Sequence, residues 1–150
     1  MSKPFKNENE LRQFLLGKCE LALIKAQDKV HKIIDIYIQR FYADYDPVKY
    51  ERTYNLMHSL VKGKIDKGVN GYKATVYFDL SYLNSVYETG ANPSGEDVMF
   101  DASHGGHGAK GLKVVYGGGE DLWRTPLEIL DNEAIEILKQ MLISEGIPIK

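Results

Sequence analysis

The chain is predicted to adopt an α+β fold: a long N-terminal helix and a C-terminal helix packed on a small, mainly antiparallel β-sheet, with a long glycine-rich loop. Three observations carry this. Apolar residues recur at helical spacing from Cys19 to Phe41, and two short alternating runs flank a Gly/Asn-rich turn. A proline-started, glycine-stopped amphipathic stretch then closes the chain. At 150 residues with 43% hydrophobic and 27% charged content, the sequence has the size and composition of one globular domain.

The first helix is read over residues 18–45, after a lead-in over 1–17. Cys19, Leu23, Ala26, Val30, Ile33, Tyr37 and Phe41 succeed one another at three- or four-residue steps, and Ile34 and Ile38 widen the stripe. Asn7 and Glu10 are spaced as a capping box, and Gly17 is expected to break or kink the helix. Pro47 disfavours helical backbone at Asp46 and sets the stop. Such a helix is roughly 40 Å long at ~1.5 Å per residue, more than one small sheet needs. A short helical turn follows near Asn55 to Leu60.

A β-meander is expected over residues 60–87. Extended segments at 60–66 and 72–79 flank Lys67-Gly68-Val69-Asn70-Gly71, and a third runs over 82–87. Ala74, Val76 and Phe78 alternate with Thr75, Tyr77 and Asp79, the period of a half-buried strand. Residues 88–121 are glycine-rich and read as a flexible loop, with 112–116 as one possible strand. The last helix, over 125–145, has Thr125, Pro126 and Glu128 at its start. Gly146 and Pro148 stop it.

Several function classes lose support at this level. A net charge of −2 gives no overall field for nucleic acid or an anionic membrane. Cys19 is the only cysteine, so no disulfide forms within the chain; among apolar residues it reads as a small core side chain. Residues 1–10 lack the apolar stretch of a signal peptide, no window suits a membrane span, and synthesis in a reducing cytoplasm is expected. Ten tyrosines favour half-buried and interface positions.

His104 and His107, three apart, are weak candidates for metal ligands, with Asp101, Glu96 or Asp97 as a third. The alternative function they define is a small metal-dependent enzyme. Contact of these histidines with backbone or a partner is the simpler reading. Gly117-Gly118-Gly119 lacks the Lys-Ser/Thr of a phosphate loop and precedes two acids, Glu120 and Asp121. Ser59 and Ser103 have histidines nearby but no nucleophile elbow. Trp123, the sole tryptophan, reads either as a lid on the core or as an interface anchor. No catalytic residue and no cofactor are expected.

The order of parts, together with Tyr45-Asp46-Pro47, Tyr50, Arg52-Thr53, Leu56 and Ser59, resembles the tail-component, or tail-completion, proteins of tailed bacteriophages with long non-contractile tails. Members more often carry Asp-Thr-Gly-x-Leu-x-x-Ser at the turn. Arg52-Thr53-Tyr54-Asn55-Leu56 lacks that aspartate and glycine. Val86-Tyr87-Glu88-Thr89-Gly90 and Leu122-Trp123-x-x-Pro126 resemble two further stretches of the family. The likeness spans residues 20–145 and includes the Tyr-x-Arg-Thr variant of prophages.

The resemblance implies a virion structural protein made in the bacterial host cytoplasm. It would act in head–tail joining as a ring of six copies in the neck. Its partners would be itself and head-connector or tail proteins, with DNA at most passing through the channel and no membrane. Tyr45, Tyr50, Arg52, Tyr87, His104, His107 and Trp123 are the interface candidates. A host-encoded α+β binding module is a further alternative.

Overall fold

The computed structural model describes residues 5–43, 54–69, 71–83, 94–103 and 124–149. It is an α+β protein with a long N-terminal helix, a C-terminal helix and a small antiparallel β region between them. Helix α1 (Glu8–Ala43) leads to a single-turn helix α2 (Asn55–Ser59) and strand β1 (Leu60–Lys62). Strands β2 (Asp66–Gly68), β3 (Gly71–Lys73) and β4 (Val76–Phe78) follow, then a 3-10 turn (Leu80–Leu83), α3 (Gly95–Ser103) and α4 (Arg124–Ser144).

The start of α1 is fixed by the expected cap. Asn7 Oδ1 accepts the Glu10 amide at 2.9 Å, while Glu10 Oε2 accepts the Lys6 amide at 2.7 Å. The expected break at Gly17 does not occur; α1 is one helix of 36 residues. Glycine in a helix interior costs only about 1 kcal/mol relative to alanine, which the turns on either side offset.

Helix α4 runs antiparallel to α1. Leu130, near its start, packs on the cluster around Ile38, while Glu145, just past its end, bonds Lys18 and Lys25. It stops in a Schellman motif: Ile147 N–H donates to Leu142 O at 3.0 Å and Gly146 N–H to Ile143 O at 2.9 Å. Gly146 has φ +82°, the left-handed backbone the motif needs.

The strands form one interrupted hairpin and no three-stranded meander appears among the described residues. Leu60 pairs with Phe78 and Lys62 with Val76; beyond a gap, Asp66 pairs with Lys73 and Gly68 with Gly71. The turn is therefore tighter than the expected 67–71 loop. Within the gap, residues 63–65 oppose only 74 and 75, one extra residue on the first arm, as in a β-bulge. Gly63 N–H still reaches Thr75 O at 2.8 Å. Carbonyls of both arms turn toward α1, where Gln27 Nε2 donates to Gly63 O and to Thr75 O, each at 2.8 Å.

The expected third strand begins instead as the 3-10 turn. Asp79 Oδ1 accepts both the Ser81 amide (3.1 Å) and the Ser81 hydroxyl (2.6 Å), a local turn that curls the chain away from the sheet. Helix α3 lies inside the stretch expected to be loop. Ser94 caps it: its Oγ accepts the Asp97 amide at 3.2 Å, and Asp97 Oδ2 accepts the Ser94 amide at 3.2 Å. The possible strand at 112–116 falls outside the described residues.

The core gathers Ile34, Ile38 and Phe41 of α1 with Leu56, Leu60, Leu83 and Ala102. Cys19 is only half-buried, and the buried α1 face includes Gln27, a polar residue outside the apolar stripe.

Replacing Gln27 with alanine removes the donor shared by two carbonyls. Thr75 O still accepts the Gly63 amide, so Gly63 O is the acceptor left short, and an unsatisfied acceptor costs about 1–3 kcal/mol. Urea denaturation should show Gln27→Ala destabilised by roughly that amount, with faster amide exchange at Gly63 than in the parent protein.

Candidate functional site

Tyr45, Tyr50, Arg52, Tyr87, His104, His107 and Trp123 lie outside the described residues. Asp101 does not sit in a loop, as expected, but in the last turns of α3, five residues beyond Glu96. The capping geometry explains the role of Asp97: it closes the first turn of α3 through Ser94. Among the described residues no three His, Cys, Asp or Glu side chains are grouped as metal ligands. His31 spends Nε2 on the Leu60 carbonyl at 3.3 Å, which as a donor requires the proton on that nitrogen. His58 is exposed. Ser59 has no exposed surface, and its hydroxyl donates to Leu56 O at 2.7 Å, so it holds the α2 turn.

Two apolar surfaces stand out among the described residues, toward opposite ends of α1. The first is the tip of α1. The Lys18–Glu145 contact marks where the end of α4 meets α1, and residues 8–17 of α1 precede it. They extend the helix by about 15 Å at ~1.5 Å per residue. There Leu11, Phe14 and Leu15 are 38%, 50% and 41% exposed. Phe5 folds back on Phe14, ring centroids 5.1 Å apart, and the Lys18 ammonium lies 5.8 Å from the Phe14 ring centre.

The second is an open groove of about 480 Å³ between β4, the 3-10 turn and α3, lined by Val76, Tyr77, Phe78, Leu80, Glu96, Met99 and Phe100. It exists because α3 starts very close to the 3-10 turn. A Cβ on Gly95 would lie 2.3 Å from Leu80 O, so only glycine permits that approach. Phe100 is 61% exposed along the groove.

Between these surfaces, charge pins α4 to α1. Glu145 accepts Lys25 and, at 3.4 Å, Lys18. The hydrogen bond from Lys25 holds the Glu145 carboxyl below its ordinary range, against the opposing effect of partial desolvation. Across the helix, Glu20 bonds Lys67 of β2 at 2.8 Å and raises the Lys67 ammonium above its usual value, chiefly through that hydrogen bond. Lys62 of β1 meets Asp28 at 2.5 Å.

No family model matches the chain, and neither a curated protein nor a solved structure is significantly similar to it. The sequence implies a helix too long for its sheet, whereas the apolar tip and the groove emerge only in the structure. The signal for the tip was present: Leu11, Phe14 and Leu15 share one face of a helix.

Because the Glu145 pKa is depressed in the folded chain, its stabilisation is present above the unfolded value and is lost as pH falls through the lowered folded value. Amide protection in the last turn of α4 should drop once the pH falls below the ordinary glutamate value of 4.5. Glu145→Gln should show reduced protection at neutral pH and lose that part of the pH dependence.

Proposed function

We propose that the protein is a non-enzymatic structural component of a phage or prophage virion, acting in tail completion or head–tail joining as part of a neck ring. The observation that carries the assembly part is the apolar tip of α1, held beyond the end of α4. Leucine and phenylalanine left exposed together on a projecting helix favour burial against another chain. The virion part rests on the Tyr50, Arg52-Thr53, Leu56, Ser59 resemblance. Of those residues, Leu56 and Ser59 are buried in α2. No helix among the described residues is long and apolar enough to cross a membrane.

In this reading the partners are other copies of the chain, in a ring that the resemblance sets at six, together with connector and tail proteins. His104 and His107 act as contact residues and bind no metal.

Native mass spectrometry of the full chain at rising concentration should reveal closed oligomers, and electron microscopy should show them as rings. Flanking genes for portal, capsid and tail-tube proteins would support the virion assignment, whereas flanking metabolic genes would overturn it. Purified protein should lack stoichiometric zinc or manganese. Metal at one equivalent that disappears in His107→Ala would instead establish the metal-dependent alternative.

A further inference from the structure

Strand β4 keeps one edge open. Gly63 N–H donates to Thr75 O at 2.8 Å and Asp79 N–H to Ser59 O at 2.7 Å. In an antiparallel pair such bonded positions alternate, so Thr75, Tyr77 and Asp79 turn their main-chain groups toward β1. The amide and carbonyl of Val76 point the other way, and they have no hydrogen-bond partner among the described residues. On β1, by contrast, the outward carbonyl of Leu60 is taken by His31 of α1. A strand edge with unpaired donors and acceptors is a template for another strand. Val76 lines the groove, so a strand added there would lay its side chains along it.

The groove also has a chemical preference. Tyr77, Phe78 and Phe100 bring aromatic rings to its lining, and Glu96 is the one charged side chain on it among the described residues. Glu96 is exposed and has no ion-pair partner among those residues. It stands one turn from Phe100 on the same face of α3, a spacing that sets Cβ atoms about 5–6 Å apart. A cation resting on the Phe100 ring therefore comes within reach of the Glu96 carboxylate. The ring face and the carboxylate both attract a cation, and both disfavour an anion.

From the open edge and this carboxylate–aromatic pair, we propose that the β4–α3 groove binds an extended segment of a different protein, added as a strand along β4 and carrying a lysine or arginine flanked by apolar residues. The strands described in this chain already pair with one another, so the added strand comes from elsewhere. An open trough suits a passing chain better than a small molecule, which binds best when enclosed. The inference depends neither on the virion assignment nor on the tip of α1.

Nuclear magnetic resonance titration of the full chain with capped synthetic hexapeptides tests it. The probe is acetyl-Thr-Val-Lys-Val-Thr-Val-amide, compared with analogues that carry norleucine or glutamate in place of lysine. The lysine peptide should shift the amides of Val76, Met99 and Phe100, and hydrogen exchange at the Val76 amide should slow. It should bind about five- to tenfold more tightly than the norleucine peptide, the size of an exposed cation–π contact plus an ion pair. The glutamate peptide should bind more weakly still. Glu96→Gln should narrow the lysine preference severalfold and leave the norleucine peptide unchanged. Phe100→Ala should narrow the same preference, and serves if Glu96→Gln loses its helical circular dichroism.

Equal affinity for the lysine and norleucine peptides would overturn the inference. So would shifts that spare Val76, or no binding at up to about millimolar peptide. Butylammonium binding as tightly as the peptide would mark a small-cation site and overturn it too. Groove shifts that grow with protein concentration, without peptide, would place a second copy there instead. Whether rings form is a separate readout, so failure of the assembly reading and failure of this inference are told apart.

Discussion

Ile38 has no exposed surface, and the side chains packed around it come from nearly every described element. Leu56 arrives from α2, Leu60 from β1, Leu83 from the 3-10 turn, Ala102 from α3 and Leu130 from α4. Burying this cluster is what orders the short pieces. A five-residue helix and three-residue strands have almost no stability of their own, because nucleation and chain entropy outweigh the few hydrogen bonds they make. They exist because one end of α1 supplies a surface against which each can bury one or two side chains. The other half of α1 is held differently, by α4 and by ion pairs at Lys18, Lys25 and Lys62, and it ends in apolar side chains left in solvent.

That division separates stability from interaction. The apolar groove is a by-product of the core: Gly95 brings α3 against Leu80, and the side chains that do not fit inward line an open trough. The tip is a by-product of length, since α1 outruns the helix that covers it. Neither feature needs a reactive group. The shifted titrations of Glu145 and Lys67 are each explained by a structural ion pair.

Much of this architecture was legible in the residues. Period and caps located α1 and α4, because long helices average many weak preferences and their ends carry distinctive chemistry at Asn7, Glu10 and Gly146. Short elements were harder. Asp79 diverts the chain into a 3-10 turn through its own side chain, an effect that overrides the extended preference of Tyr82. Helix α3 was hidden by the glycines around it, although Ser94 and Asp97 already had capping-box spacing. Gln27 was invisible to an apolar pattern, since its value lies in the geometry of two carbonyls far along the chain. The interface candidates of the sequence, from Tyr45 to Trp123, fall outside the described residues, so the site argued from geometry is made of other side chains.

The extra residue in the first arm of the hairpin has a consequence for how the chain can vary. On the returning arm, Tyr72, Ala74, Val76 and Phe78 keep one parity, all at least half-buried. On the outgoing arm Leu60 is buried, and beyond it Val61, Gly63 and Ile65 are half-buried. One residue more or fewer between Gly63 and Ile65 would turn every later side chain of that arm over. Lys67 would then leave Glu20. Related chains should therefore tolerate lengthening at the hairpin tip, near Val69, far better than at this inner step.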